Sequence, residues 1–146
     1  MQHRDTTKAA AIAGGVGRLF FDLGHVSLLE FTLANQRRAD ICCLGPKGEI
    51  VIVEVKSSIA DFKSDQKWPE YAPYCDRFFF AVAQDFPHEL IPESVGLIVS
   101  DAFGGAILRE PVPHPLKAAR RKAMTLKFAR LAAQRHMRVD AVSNPI

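Results

Sequence analysis

Two charged side chains interrupt the most apolar run of the chain, Ile50-Val51-Ile52-Val53-Glu54-Val55-Lys56. Strand side chains alternate, so Ile50, Ile52, Glu54 and Lys56 share one face and the three valines share the other. A carboxylate and an ammonium therefore project from the end of an otherwise hydrophobic strand. Removing such charges from water costs several kcal/mol unless each finds a partner, and a purely structural strand would carry Val or Thr instead. Asp40 lies in the preceding apolar segment, and the turn sequence Gly45-Pro46-Lys47-Gly48 separates the two. A tight turn joins antiparallel neighbours, and folding about it brings Asp40 across from Glu54. Paired strands stand about 4.7–4.9 Å apart, close enough for the two carboxylates to converge. Like charges at that distance repel and raise a pKa, and a divalent cation removes the conflict. Mg²⁺ (or Mn²⁺) is the expected cofactor, because Mg²⁺ uses one or two carboxylates and keeps several waters; the backbone carbonyl of Val55 is a further expected oxygen ligand.

The elements that must position these groups are legible in the pattern. Ile12, Val16, Leu19, Phe20 and Leu23 fall at helical spacing, predicting a helix over about 6–23, capped by Asp5, Thr6 or Thr7 and ended by Gly24. Leu29, Phe31 and Leu33 alternate with Glu30 and Thr32 as a strand would, and 38–44 and 49–56 predict the second and third strands. Ser57 or Ser58 caps a helix through Ile59, Phe62 and Gln66; Pro69 and Pro73 then break the pattern. The run 77–83 is apolar throughout, as in a central strand covered on both faces. Strands over 95–100 and 106–110 follow, the latter at an edge, and a long helix over about 116–138 closes the chain. This order predicts an α/β (mixed α+β) fold with a mixed central sheet flanked by helices. A chain of 146 residues with 48% hydrophobic and 24% charged residues fits a single domain spanning 1–146.

Composition narrows the rest. No apolar run approaches the ~20 residues that span a bilayer, and the N-terminal segment has no secretory h-region, so no membrane partner and a cytoplasmic location are expected. Three cysteines, Cys42, Cys43 and Cys75, with no Cys-x-x-Cys spacing predict neither a disulfide framework nor a zinc site; adjacent Cys42 and Cys43 should face opposite sides of the sheet. His3, His25, His88, His114 and His136 show no ligand spacing, and Trp68 reads as packing the second helix onto the sheet, with stacking on an unpaired base as the alternative. Eight of the 19 Lys and Arg lie beyond Pro115, beside one acid, Asp140. On a helical wheel Lys117, Arg120, Arg121, Lys127, Arg135 and Arg138 fall on one side, and Leu116, Ala119, Ala123, Leu126, Ala133 and Met137 on another. The reading is a core face opposite a cationic face able to neutralise phosphates without sequence readout.

The Asp…Glu-x-Lys arrangement on consecutive strands resembles the PD-(D/E)XK (restriction-endonuclease-like) nuclease superfamily: Arg37-Arg38-Ala39-Asp40-Ile41 stands where its Pro-Asp motif lies and Glu54-Val55-Lys56 where its (Asp/Glu)-x-Lys motif lies. Within it, the string through Ser57-Ser58, Asp65-Gln66-Lys67-Trp68 and Tyr74-Cys75-Asp76-Arg77-Phe78 is similar to the MmcB-type bacterial DNA-repair proteins, over about residues 14–138. The resemblance implies a restriction-endonuclease-like core and Mg²⁺-dependent hydrolysis of DNA phosphodiester bonds, with Asp40 and Glu54 as metal ligands and Lys56 orienting water or stabilising transition-state charge. It also implies that Gln66 points at the site. Ala39 replaces the motif's proline. Many relatives carry a glutamate in the first helix, where this chain has Ala13-Gly14-Gly15-Val16-Gly17-Arg18, which leaves Glu30 as the candidate third carboxylate. That departure keeps a second expectation open, a DNA-binding or scaffold component of a repair assembly without catalysis; a protein-interaction domain with no nucleic-acid partner is the third. A homodimer acting on both strands is neither required nor excluded.

Overall fold

The computed structural model describes residues 5–143, with side chains to Val139; His3 and Asp140 lie outside the described side chains. Helix α1 (Thr6–Asp22) starts where the Asp5 carboxylate accepts the Lys8 N–H, and the chain leaves it through Gly24 at φ 87°. Strands β1 (Val26–Thr32), β2 (Arg38–Leu44) and β3 (Ile50–Val55) follow, then helix α2 (Ile59–Ser64), a 3-10 segment (Trp68–Tyr74), β4 (Arg77–Val82), a short 3-10 turn, β5 (Gly96–Ser100), β6 (Gly105–Arg109) and helix α3 (Ala118–Ser143). Helix α2 is shorter than the sequence pattern predicts. Its last turn gives way at Asp65, whose carboxylate caps the Lys67 N–H, and Pro69 and Pro73 continue the chain as 3-10 turns.

The six strands form one sheet in the order β1-β2-β3-β4-β5-β6, antiparallel except for the two parallel pairs β3–β4 and β4–β5. This is the mixed α/β fold the pattern predicts, with β6 at one edge and β1 at the other. Helix α1 covers one face, burying Ile12, Val16 and Phe20 against Ile41, Val51, Val53, Val55, Phe79 and Ile98. The other face carries Ile50, Ile52, Phe78 and Phe80 under the 3-10 segment and α3. Cys42 and Cys43 fall in the two opposite layers, as adjacent strand residues must. Trp68 stacks on Phe78 at 6.0 Å between centroids and meets the edge of Phe80, fixing the 3-10 segment to the sheet.

Two sequence expectations fail, each for a physical reason. The alternation Leu29-Phe31-Leu33 does not hold: Phe31 and Leu33 are buried, but Leu29 is 51% exposed, and Leu28 packs inward in its place. Glu30 sits between Leu29 and Phe31 at φ 52°, a left-handed conformation that shifts the side-chain phase of β1. In α3 the apolar face is also different. Met124, Phe128 and Leu131 pack on the sheet, while Leu126 and Met137 stand 59% and 68% exposed. The larger side chains at i, i+4 and i+7 bury more area than the alanine-rich stripe, and they run through the side of the wheel that holds Arg120, Arg121 and Arg135.

Candidate active site

The β2–β3 ladder ends at the pair Ile41–Val53, and the next step of that register sets Asp40 opposite Glu54. There the two strands are joined through side chains. The Asp40 N–H donates to Glu54 Oε2 at 3.1 Å, and the Val55 N–H donates to Asp40 Oδ2 at 2.8 Å. Each carboxylate thus answers a backbone donor that the open ladder leaves behind, and the turn at 45–48 fixes the register that makes the exchange possible. β1 pairs with β2 at Leu29–Ile41 and Phe31–Ala39 in unbroken register, so Glu30 lies opposite Asp40.

Glu54 is 4% exposed. Burial, and then the hydrogen-bonding contact and charge of Asp40, push its carboxyl well above the usual glutamate range. The Tyr71 hydroxyl, which donates to the Arg38 carbonyl at 3.1 Å, lies beside Glu54, and burial together with that neighbouring charge raises its pKa as well. Asp40 is half-buried and, with Glu30, lines a cavity of about 240 Å³ under the first turns of α1, where Ala9, Ala10 and Ala13 form the helix wall. No acid of α1 lines it.

Lys56 follows β3 directly and is 7% exposed. Its ammonium meets Asp65 Oδ2 at 2.7 Å, so the buried charge finds its partner in a residue that no sequence pattern marks. Asp65 stands just past α2, where the sequence pattern carries the helix on to Gln66, and only the return of the chain over the sheet brings it to Lys56. Tyr71 is hidden from the sequence for the same reason. Gln66 is exposed, and its side-chain amide donates to the Lys63 carbonyl at 2.9 Å rather than reaching the carboxylates. Among the described residues no three His, Cys, Asp or Glu side chains form a metal-holding group. The two that meet, Asp40 and Glu54, offer hard oxygens of the kind a two-carboxylate Mg²⁺ site uses.

The cations of α3 are distributed by tertiary contacts. Arg121 forks onto Asp76 with two 2.7 Å bonds and also donates to the Gly48 carbonyl. Arg135 donates to the carbonyls of Leu29 and Glu30 at 2.6 and 2.9 Å, clasping β1 at its left-handed residue. Arg120 lies over the Tyr74 ring at 4.2 Å and donates to the Pro73 carbonyl. Lys117 precedes the helix and, like Arg138, is exposed; Lys127 lines a groove between α3 and β1 with Arg38 and Arg130. The helical wheel does not single out Arg130, and Arg38 belongs to a strand remote in sequence, so neither stands out as part of a binding surface before the chain is folded.

Comparison with known proteins agrees with this architecture. The chain is similar to a solved structure, the SPO1766 protein of unknown function from Silicibacter pomeroyi, with 42% identity, a TM-score of 0.88, and coverage of 99% of this chain and 95% of that one. No curated protein matches it. A family model described as DNA repair protein MmcB-like matches residues 1–143. With the strand order, the paired carboxylates and that match together, the chain belongs to the MmcB-like family of DNA repair proteins.

Proposed function

We propose that this protein is a divalent-metal-dependent nuclease of the restriction-endonuclease-like kind that hydrolyses DNA phosphodiester bonds during repair, in the cytoplasm. The observation that carries the reading is the meeting of Asp40 and Glu54 at the opened end of the β2–β3 ladder. A bound Mg²⁺ or Mn²⁺ would polarise the phosphoryl oxygen and acidify a water. Asp40 and Glu54 would hold it, with the Val55 carbonyl in reach of the same strand end and Glu30 facing the shared cavity. Lys56 would leave Asp65 to meet the charge that develops on the phosphate, an electrostatic role that a buried ammonium performs more strongly than an exposed one. The test is incubation of purified protein with Mn²⁺ or Mg²⁺ and single-stranded, duplex, flapped and branched DNA. The expected result is cleavage that Asp40→Ala and Glu54→Gln each reduce by at least about 10²-fold; wild-type protein that leaves every substrate intact overturns the reading.

One observation favours a second reading, a DNA-binding component of a repair assembly without catalysis. Among the described residues no third acid joins Asp40 and Glu54 in a metal-holding group, the α1 wall of the cavity is Thr6 and three alanines, and Lys56 is already paired with Asp65. In that case DNA affinity survives Asp40→Ala and no metal ion changes the protein's thermal stability.

A further inference from the structure

The α3–β1 groove is a second concave surface, of about 640 Å³. It brings together Arg38 of β2 with Lys127 and Arg130 of α3, and none of these three side chains makes a hydrogen bond or ion pair among the described residues. With Arg135, four cations line one groove that holds a single acid, an excess of positive charge that an anion relieves. That acid is Glu30, which stands on β1 two residues before Thr32, the register partner of Arg38. Its backbone carbonyl is clasped by Arg135, so this stretch of β1 is fixed to α3. Glu30 also lines the cavity that holds Asp40, and the two spaces adjoin at this residue. Between the cations the wall is aliphatic, with Leu126 59% exposed.

We infer that this groove is a channel for a single nucleic-acid strand, whose phosphates are held by Arg38, Lys127 and Arg130 and which passes over Glu30 toward Asp40. The channel itself stands on the groove's own geometry; its direction toward Asp40 rests on the nuclease reading. Its volume lies in the range of pockets that enclose one small ligand, roughly 300–1,000 Å³. That space matches a nucleotide or two of one strand. The lining offers cations for phosphate and aliphatic surface for sugar, but no aromatic ring for a base. Binding is therefore sequence-independent.

The experiment is fluorescence anisotropy of the full chain with a labelled oligothymidine and with a labelled duplex, in chelator, across a salt series. The triple substitution Arg38→Gln, Lys127→Gln, Arg130→Gln is expected to weaken single-strand binding at least tenfold. It should also flatten the slope of log affinity against log salt by about 2, at roughly 0.7 for each phosphate no longer neutralised. The pair Lys47→Gln, Lys122→Gln, exposed cations outside the groove, is expected to leave both unchanged within twofold. The inference is overturned if the triple variant binds like wild type, if the control pair loses as much, or if duplex binds as tightly as single strand through the same three residues. Because chelator removes any need for chemistry, the two proposals separate. Groove-dependent binding without metal-dependent cleavage sinks the nuclease alone, and cleavage with groove-independent binding sinks the channel alone.

Discussion

Glu54 concentrates the conflict of the whole site in one side chain. Its carboxyl is buried beside Asp40, and its pKa in the folded protein is raised well above the usual value near 4.5. A folded-state pKa above the unfolded one means the native state binds the proton more tightly. That contribution to stability is full below about pH 4.5 and is lost as pH rises through the folded value. Glu54→Gln keeps an oxygen for the Asp40 N–H and carries no charge. It is expected to stabilise the metal-free protein at pH 8 and to flatten the pH dependence above pH 5. Urea unfolding at pH 5 and pH 8 measures both. Saturating Mn²⁺ should then stabilise wild type and leave the glutamine variant unmoved; equal stabilisation of the two places the ion elsewhere.

At the scale of elements, two close approaches hold the layers in register. Helix α1 lies so near the β5–β6 turn that a Cβ on Gly15 would fall 2.1 Å from both the Asp101 carbonyl and Ser100 Oγ, whereas Gly14, one residue earlier, has nothing within 4 Å. Ser100 Oγ donates to the Ile12 carbonyl, locking the helix there. Gly14→Ala is expected to stabilise by up to about 1 kcal/mol, the helix-propensity gain. Gly15→Ala should destabilise by about 1–3 kcal/mol because overpacking outweighs the same gain. Thermal melts of the two single variants check the opposite signs. Helix α3 is fastened by Asp76, which accepts from the Ile50 and Leu116 N–H groups as well as from Arg121. Burial alone would raise the Asp76 pKa, but the Arg121 guanidinium and the two N–H donors together hold it below the usual aspartate value of 3.8. Its stability contribution is complete above that value and disappears as pH falls through the lower folded pKa. Asp76→Asn should cost about 2–3 kcal/mol at pH 7, less than breaking a fully buried pair because Arg121 keeps part of its surface in water. The difference from wild type should shrink below pH 3.

For the whole molecule, the three free thiols report on global opening. Cys42, Cys43 and Cys75 are all buried on the central sheet. Burial raises each thiol above its ordinary value, that of Cys43 to about 12, so almost no thiolate exists at neutral pH. A thiol reagent is expected to label none of them in the native state and all three at a rate set by unfolding of the sheet. Labelling of one cysteine faster than the decay of the far-ultraviolet circular dichroism signal would show a separately opening unit instead. No helix among the described residues is long and apolar enough to cross a membrane. The cations of α3 lie toward one side of the sheet, against the β1 edge and the 3-10 segment.

Periodicity alone determined the element types, the antiparallel hairpin and the fully covered β4, because those depend on side chains no more than a few residues apart. It also placed Asp40 opposite Glu54, since a tight turn fixes register across two strands. What it could not decide were choices between nearly equal local options. One was which stripe of α3 is buried, where Met124 and Phe128 win by the area they cover on a sheet formed far away in sequence. Another was the phase of β1, reset by a left-handed Glu30 that no local pattern announces but that Arg135 clasps from more than a hundred residues downstream. The partner of Lys56 was hidden for the same reason. Asp65 sits beyond α2, and only the path of the chain back across the sheet brings it within 2.7 Å. Long-range packing energy, absent from any short window of sequence, made each of these decisions.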